Sequence, residues 1–141
     1  MRLRRAAPAD STRLVAWSRD FEHGAHGEPF MAATLAELER RPARGEVLVL
    51  EDPEPVGYVI LLSWWSNEFR GEALLIDELY IAPEHRGGKG AAALRAIEAR
   101  ARERGVKLLS LEVLPGADRV HALYQRAGFV SERTLYQKRL S

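Results

Sequence analysis

The stretch Ile76–Leu94 constrains the fold of this chain more than any other. It reads IDELYIAPEHRGGKGAAAL: a β-branched and aromatic run, a proline that stops it, a glycine-rich basic turn, and an alanine-rich segment. This order predicts a strand, a tight turn and a helix. The unpaired N–H groups and the positive dipole end of that helix would lie beside the end of the strand. Such an arrangement is suited to binding a phosphate.

The residue types of the turn fit that purpose. Gly87, Gly88 and Gly90 have no Cβ, so the backbone can turn sharply and approach a bulky anion, while Arg86 and Lys89 provide charged donors. A pyrophosphate fits this description, and a solvated basic turn is the alternative. The stretch does not match the P-loop, which needs Ser or Thr after the lysine, or the GxGxxG dinucleotide fingerprint.

Length and charge limit the classes of protein to consider. A chain of 141 residues, 46% hydrophobic and 29% charged, is expected to form one globular domain over residues 1–141. It has no apolar run that could span a membrane and no apolar signal-peptide core at its N-terminus, so we expect a cytoplasmic protein without a membrane partner. The net charge of +1 gives no general attraction to nucleic acid, and we expect none as a partner. The absence of cysteine excludes disulfides, a thiolate nucleophile and zinc bound by sulfur.

Strand and helix patterns are mixed along the whole chain. The segments with β-branched and apolar strand patterns are residues 2–6, 47–50, 56–64, 72–82 and 107–114, with one or two closing strands between 129 and 140. The segments with helix patterns or caps are one opened by Pro8, one from Thr34 to near Pro42, one over 90–104, and one from Asp118 to Ala127. The expected fold is therefore mixed α/β, with a sheet of six to seven strands flanked by about four helices.

A second informative stretch is Leu111–Phe129, LEVLPGADRVHALYQRAGF. A strand ends at a Pro-Gly pair, and a short helix then carries Leu123 and Tyr124 toward the Gly128-Phe129 break. Together with the approach LYIAPEHRG to the glycine turn, this L-Y-x-x-x-G-F pattern resembles the GNAT superfamily of N-acetyltransferases. In that family the acetyl-CoA site combines an R/Q-x-x-G-x-G/A turn after a long strand with a later helix of this pattern. The resemblance covers about residues 46–140.

The resemblance implies a mostly antiparallel, V-splayed sheet that binds acetyl-CoA as co-substrate, without a metal. The residues implied to contact it lie at the strand end, in the glycine turn and at the start of the later helix: Leu79, Tyr80, Ile81, Arg86, Gly87, Gly88, Lys89, Gly90, Ala91 and Asp118. Backbone groups of Leu79 and Ile81 would pair with the pantetheine amides in the manner of an added strand.

Two positions depart from the family pattern. Counted from Arg86, Lys89 falls on the first essential glycine, and Ala91 falls on the second position, which allows alanine. We prefer the alignment that places Gly88-Lys89-Gly90 on G-x-G, which makes the turn one residue shorter than usual. The asparagine that often starts the later helix is replaced by Ala117 or Asp118.

The same resemblance implies direct transfer of an acetyl group to a primary amine of a small molecule or peptide. Most such amines are protonated at neutral pH, so a general base is required. Asp77 and Glu78 precede the turn, and only one of two adjacent strand side chains can face the substrate; Glu78 is the first choice and Asp77 the second. Tyr124 is implied to protonate the departing thiolate. The alternative function is a non-catalytic acyl-CoA-binding or sensing module, which would need neither Tyr124 nor the acidic pair.

The sequence defines the acceptor end less closely. Residues 22–28, EHGAHGE, hold two histidines and two glutamates, which we interpret as a solvated loop near the acceptor rather than a metal site. Trp64 and Trp65 alternate across a strand, so one is expected in the core and the other in a pocket or an oligomer contact. Edge strands near the C-terminus are compatible with a homodimer.

Overall fold

The computed structural model describes residues 1–21 and 30–141. One sheet has the strand order β1 (Arg2–Arg5), β2 (Gly45–Glu51), β3 (Pro55–Ser66), β4 (Gly71–Ile81) and β5 (Leu108–Leu111). Neighbours among the first four strands are antiparallel, and β5 runs parallel to β4. The helices are α1 (Ser11–Phe21), α2 (Phe30–Arg40), α3 (Lys89–Glu103) and α4 (Asp118–Arg126). None of these helices is long and apolar enough to cross a bilayer.

The predicted mixed α/β class is confirmed, but the predicted number of strands is wrong. Within the described residues the sheet has five strands rather than six or seven, and the segment after α4 forms neither helix nor strand. The apolar side chains that would hold a closing strand, among them Tyr136 and Leu140, are 90% exposed and make no core contact. The strand pattern is therefore present in the sequence without a place in the sheet.

Both faces of the sheet are covered. On one face α3 packs against the core through Leu94, Ile97 and Ala101, the stripe predicted from the sequence. On the other face α1 and α2 contribute Leu14 and Met31, both almost completely buried. We refer to these as the α3 face and the α1/α2 face.

The predicted starts of two helices need correction. α2 begins at Phe30 rather than at Thr34, because Met31 is buried and lies seven residues before Leu38 on the same helix face. Asp118 is the first residue of α4 and not its cap, since Ala117 occupies the capping position and no side chain hydrogen-bonds there.

The expectation that Trp64 or Trp65 packs in the core is also wrong. The two side chains alternate as expected, but they are 46% and 71% exposed. They lie near the end of β3, where the strand's side chains are less buried than in its middle.

Candidate active site

An extra residue interrupts the regular pairing of β4. Ile60 and Leu61 are neighbours in β3, but their partners in β4 are Glu78 and Ile76. Asp77 is therefore the additional residue of a β-bulge. The acidic pair predicted from the sequence lies at this irregularity.

The bulge exchanges the faces of β4. Ile76 before it and Leu79 after it both pack against the core of the α3 face, although regular alternation would put residues three apart on opposite faces. Glu78 consequently shares the α1/α2 face with Tyr80, two residues further along. The register thus assigns a face to Glu78, while Asp77 is the unpaired residue of the bulge.

The sheet opens at the same point. The β4–β5 ladder ends at the pair Ile76–Leu111, whereas β4 continues to Ile81. The Ala82 N–H donates to a β3 carbonyl at 2.9 Å, so by alternation the N–H and C=O groups of Leu79 and Ile81 point away from β3. This is the predicted splay of the sheet, and it turns backbone donors and acceptors toward an open side.

The glycine turn follows this open end directly. Gly88 precedes α3, and both Gly87 (φ 113°) and Gly88 (φ 86°) have positive φ angles that favour glycine. A Cβ at either position would meet no atom within 4 Å, so conformation rather than space requires glycine there. The N–H groups of Lys89, Gly90 and Ala91 begin the helix and have no acceptor within it. They are available to an anion.

Gly90 has a second, structural reason to be glycine. A Cβ built on it would lie 3.2 Å from Cδ2 of Leu123 on α4. The absence of a side chain therefore lets α4 pack against the first turn of α3. The two motifs identified in the sequence meet at this contact.

The two basic side chains of the turn are partly engaged by the protein itself. Nε of Arg86 donates to the carbonyl of Ile81 at 3.1 Å, at the end of β4. Nζ of Lys89 lies 2.5 Å from a carboxylate oxygen of Asp52 in the β2–β3 turn, and this hydrogen bond lowers the pKa of Asp52. The remaining guanidinium N–H groups of Arg86 are exposed beside the glycines.

Tyr124 lies on α4, half-buried, and packs on the core of the α3 face. Its ring makes an edge contact with the ring of Phe129 at a centroid distance of 5.9 Å. The backbone N–H of Phe129 donates a hydrogen bond to the Tyr124 carbonyl at the end of the helix. Its hydroxyl forms no hydrogen bond with the described residues. Burial raises the pKa of Tyr124, so the phenol is protonated at neutral pH.

The acidic pair has two different environments. Asp77 is exposed at the bulge, yet the surrounding protein removes part of the hydration of its carboxyl group and raises its pKa. Glu78 is half-buried on the α1/α2 face. Asp118, at the start of α4, is exposed.

Tyr80 does not join the other predicted cofactor residues. It is buried on the α1/α2 face, stacks on Tyr58 at 5.5 Å, and its hydroxyl donates to Asp20 of α1 at 2.5 Å. Burial and this hydrogen bond raise the pKa of Tyr80 to about 12. The sequence reading missed this aromatic cluster, which Trp17 of α1 completes at 6.0 Å; tyrosines at matching positions of two predicted strands were the available signal.

The histidine-containing segment 22–28 lies outside the described residues. Over residues 1–21 and 30–141, no group of three or more His, Cys, Asp or Glu side chains is arranged to hold a metal ion.

Comparisons with known proteins identify the family. The family model described as the Acetyltransferase (GNAT) family matches residues 11–129. No curated protein matches the chain.

Solved structures share the fold over almost the entire chain. The integron cassette protein HFX_CASS3 from the mobile metagenome of Cole Harbour Salt Marsh has a TM-score of 0.80 and 29% identity, covering 99% of this chain and 90% of that one. A ribosomal-protein-alanine N-acetyltransferase from Brucella melitensis biovar Abortus 2308 has a TM-score of 0.79 and 22% identity, with coverages of 99% and 98%. A transcriptional regulator from Bacillus halodurans C-125 has a TM-score of 0.82 and 19% identity, with coverages of 99% and 99%. The last two show the fold alone.

Proposed function

The chain belongs to the GNAT family of acetyltransferases, and we propose that it transfers an acetyl group from acetyl-CoA directly to a primary amine of a small molecule or peptide. The observation that carries this proposal is the end of the β4–β5 ladder at Ile76, directly before the glycine turn. An open strand edge and a helix N-terminus lie one after the other along the chain. A donor with an amide-containing arm and a diphosphate requires both.

The residues present fit such a donor. Backbone groups of Leu79 and Ile81 would pair with the amides of the arm, and the N–H groups at the start of α3 would bind the diphosphate. Arg86 would add charge-assisted donors from its exposed guanidinium. Acetyl-CoA supplies an acyl group already activated as a thioester. An N–H of the open strand would polarise the thioester carbonyl.

A carboxylate at the bulge would remove the proton that keeps the amine from reacting. The acidic pair gives two candidates, because Asp77 is the extra residue of the bulge and Glu78 follows it on the α1/α2 face. The raised pKa of Asp77 makes it a stronger base than an ordinary aspartate. Single substitutions of the two residues separate these roles.

Tyr124 would supply the proton that the leaving thiolate needs. As the C–N bond forms and the C–S bond breaks, the phenol gives its proton to sulfur, and the phenolate later regains one from solvent. Its raised pKa keeps the proton in place until that step. The chain contains no cysteine that could carry the acetyl group, which favours direct transfer.

The test is thiol release from acetyl-CoA with a panel of primary amines, using wild-type protein and Tyr124→Phe. We expect Tyr124→Phe to lower kcat about 100-fold or more and to flatten the alkaline limb of the pH–rate profile, with acetyl-CoA affinity unchanged. The control Tyr136→Phe alters a tyrosine that is 90% exposed and should have no effect. Acetyl-CoA binding without thiol release for any amine would instead support the non-catalytic binding module.

A further inference from the structure

Three arginines converge on one buried carboxylate beside the C-terminal half of α3. Glu46, near the start of β2, is 5% exposed. It accepts hydrogen bonds of 2.7 to 3.3 Å from Arg5, Arg100 and Arg104, which we call the arginine cluster. Arg104 also pairs with Glu72 near the start of β4. The proposed acetyl transfer gives this cluster no role.

The arginine cluster has more donors than acceptors around it. Each oxygen of Glu46 already accepts two hydrogen bonds, whereas each guanidinium has five N–H groups. Within the part of the chain that the structure describes, neither terminal nitrogen of Arg5 donates to a protein acceptor, and its side chain is 68% exposed. Three arginines against the two carboxylates of Glu46 and Glu72 leave one positive charge. An anion would satisfy both the donors and the charge.

The arginine cluster lines an open cleft of ≈ 370 Å³. A second cleft of ≈ 400 Å³ adjoins it, and Arg5, Pro42, Gly45 and Glu46 line both. Much of the lining of the second cleft is apolar and comes from Ala6, Ala7, Pro8, Leu35, Leu38 and Val47. Clefts of this volume are typical of small-molecule sites. An apolar slot between β1 and α2 thus leads to a group of arginines.

This joined cleft lies away from the candidate active site. α3 begins beside the glycine turn and ends at the arginine cluster, and its 15 residues, with a rise of 1.5 Å each, span about 22 Å. The helix dipole disfavours an anion at this end. Arg100 and Arg102 in the last turn and Arg104 after it counter that partial charge with full positive charges. None of the residues that line the joined cleft is among the proposed acetyl-CoA contacts.

We propose that the joined cleft binds a small monocarboxylate with an apolar body. Its carboxylate would accept from the unused guanidinium N–H groups of the arginine cluster, whose planar donors match a carboxylate and whose single excess charge it neutralises. Its body would lie in the apolar slot and leave water there. Glu39 lines that slot and has no ion pair among the described residues, so it would repel a second negative charge at the far end of a ligand. The proposal does not rest on acetyl transfer, because its test measures binding at another place.

The first test is calorimetric titration with octanoate, alone and with excess acetyl-CoA. We expect octanoate to bind in both conditions and Arg5→Gln to weaken its affinity about tenfold or more, since a charged hydrogen-bonding partner is lost. The control Arg2→Gln alters an arginine on the same strand that is 74% exposed and lies outside the cleft lining, and it should leave the affinity unchanged. Absence of octanoate binding, displacement by acetyl-CoA, or equal affinity in Arg5→Gln and wild type would overturn the proposal.

The second test examines the apolar slot and the charge of the ligand. Ala7→Trp fills the slot and should weaken octanoate binding at least tenfold, whereas Ala9→Trp, two residues away and outside the lining, should not. Urea unfolding checks that both variants are folded. Octanedioate should bind more weakly than octanoate, and Glu39→Gln should reduce that difference. Octanoate affinity that Ala7→Trp leaves unchanged, or a dicarboxylate that binds as tightly as the monocarboxylate, would contradict the proposed ligand.

Discussion

Replacing Gly88 by alanine tests the anion site at the start of α3, and Gly105→Ala is its matched control. Gly88 precedes α3 with a φ of 86°, and Gly105 follows the same helix with a φ of 73°. A Cβ at either position would meet no atom within 4 Å. Both substitutions therefore introduce left-handed strain without a clash, at opposite ends of one helix.

The two variants should lose similar stability but differ in affinity. Placing alanine in the left-handed region costs about 1–2 kcal/mol of the free energy of unfolding at each site. At Gly88 that strain rotates the adjoining peptide units, including the N–H of Lys89 that would face the diphosphate. Losing one hydrogen bond to a charged group costs about 1.5–3 kcal/mol, which is roughly a 10- to 100-fold weaker acetyl-CoA affinity. Gly105 lies at the C-terminus of the helix, where the dipole repels anions, so its substitution should not disturb an N–H that binds the diphosphate.

Urea unfolding measures the stability of each variant, and isothermal titration calorimetry measures its acetyl-CoA affinity. The expected result is a shared loss of stability with weakened binding only in Gly88→Ala. If Gly88→Ala loses stability but binds acetyl-CoA as tightly as wild type, the N–H groups of this turn do not hold the diphosphate. Equal weakening in both variants would mean that affinity merely follows stability.

Three further changes probe the base, the turn and the core. Asp77→Asn should lower kcat/KM about 100-fold or more and remove an acid limb lying above the usual aspartate range, whereas the same outcome for Glu78→Gln would assign the base to Glu78. Lys89→Met should weaken acetyl-CoA binding in calorimetry by a smaller factor than the glycine variant, because the ammonium already binds a carboxylate at 2.5 Å; a larger factor would mean that it contacts the diphosphate. Glu46→Gln should cost about 2–3 kcal/mol in urea unfolding at pH 7, because this buried carboxylate pairs with Arg100 at 2.7 Å. Burial alone would raise the pKa of Glu46, but hydrogen bonding to Arg100 and its positive charge outweigh burial, so the net effect is a lowered pKa. The stability difference between wild type and Glu46→Gln should therefore disappear as the pH falls below the usual glutamate range.

Local patterns were sufficient to predict most elements of the fold. The stripe of Leu94, Ile97 and Ala101 identified the buried face of α3, because helical periodicity alone decides which side chains meet the core. The glycine turn was predictable for a related reason, since Gly87 and Gly88 adopt positive φ angles that few other residues tolerate. Such features depend on neighbours in sequence.

Features that depend on strand pairing were not predictable. The run ALLIDELYI contains no glycine or proline that would mark an irregularity, and the bulge at Asp77 arises only from its register with Ile60 and Leu61 of β3. Residues 129–140 have a strand pattern, but whether such a segment pairs within the sheet depends on which strand edges are left open. The burial of Tyr80 on the α1/α2 face follows from the same bulge and could not be predicted from the sequence for that reason.

The bulge connects two requirements of the proposed chemistry. A regular β4 could continue its ladder with β5 beyond Ile76, and the backbone groups of Leu79 and Ile81 would then be used inside the sheet. The extra residue bends the strand where that ladder ends, which leaves the N–H and C=O of Leu79 and the N–H of Ile81 for a ligand, while the Ile81 carbonyl accepts from Arg86. Backbone geometry thus prepares both the binding edge and the position of the base. The glycine motif marks where the anion would bind, but the register of β4 against β3 determines whether the rest of the donor has a strand edge to lie along.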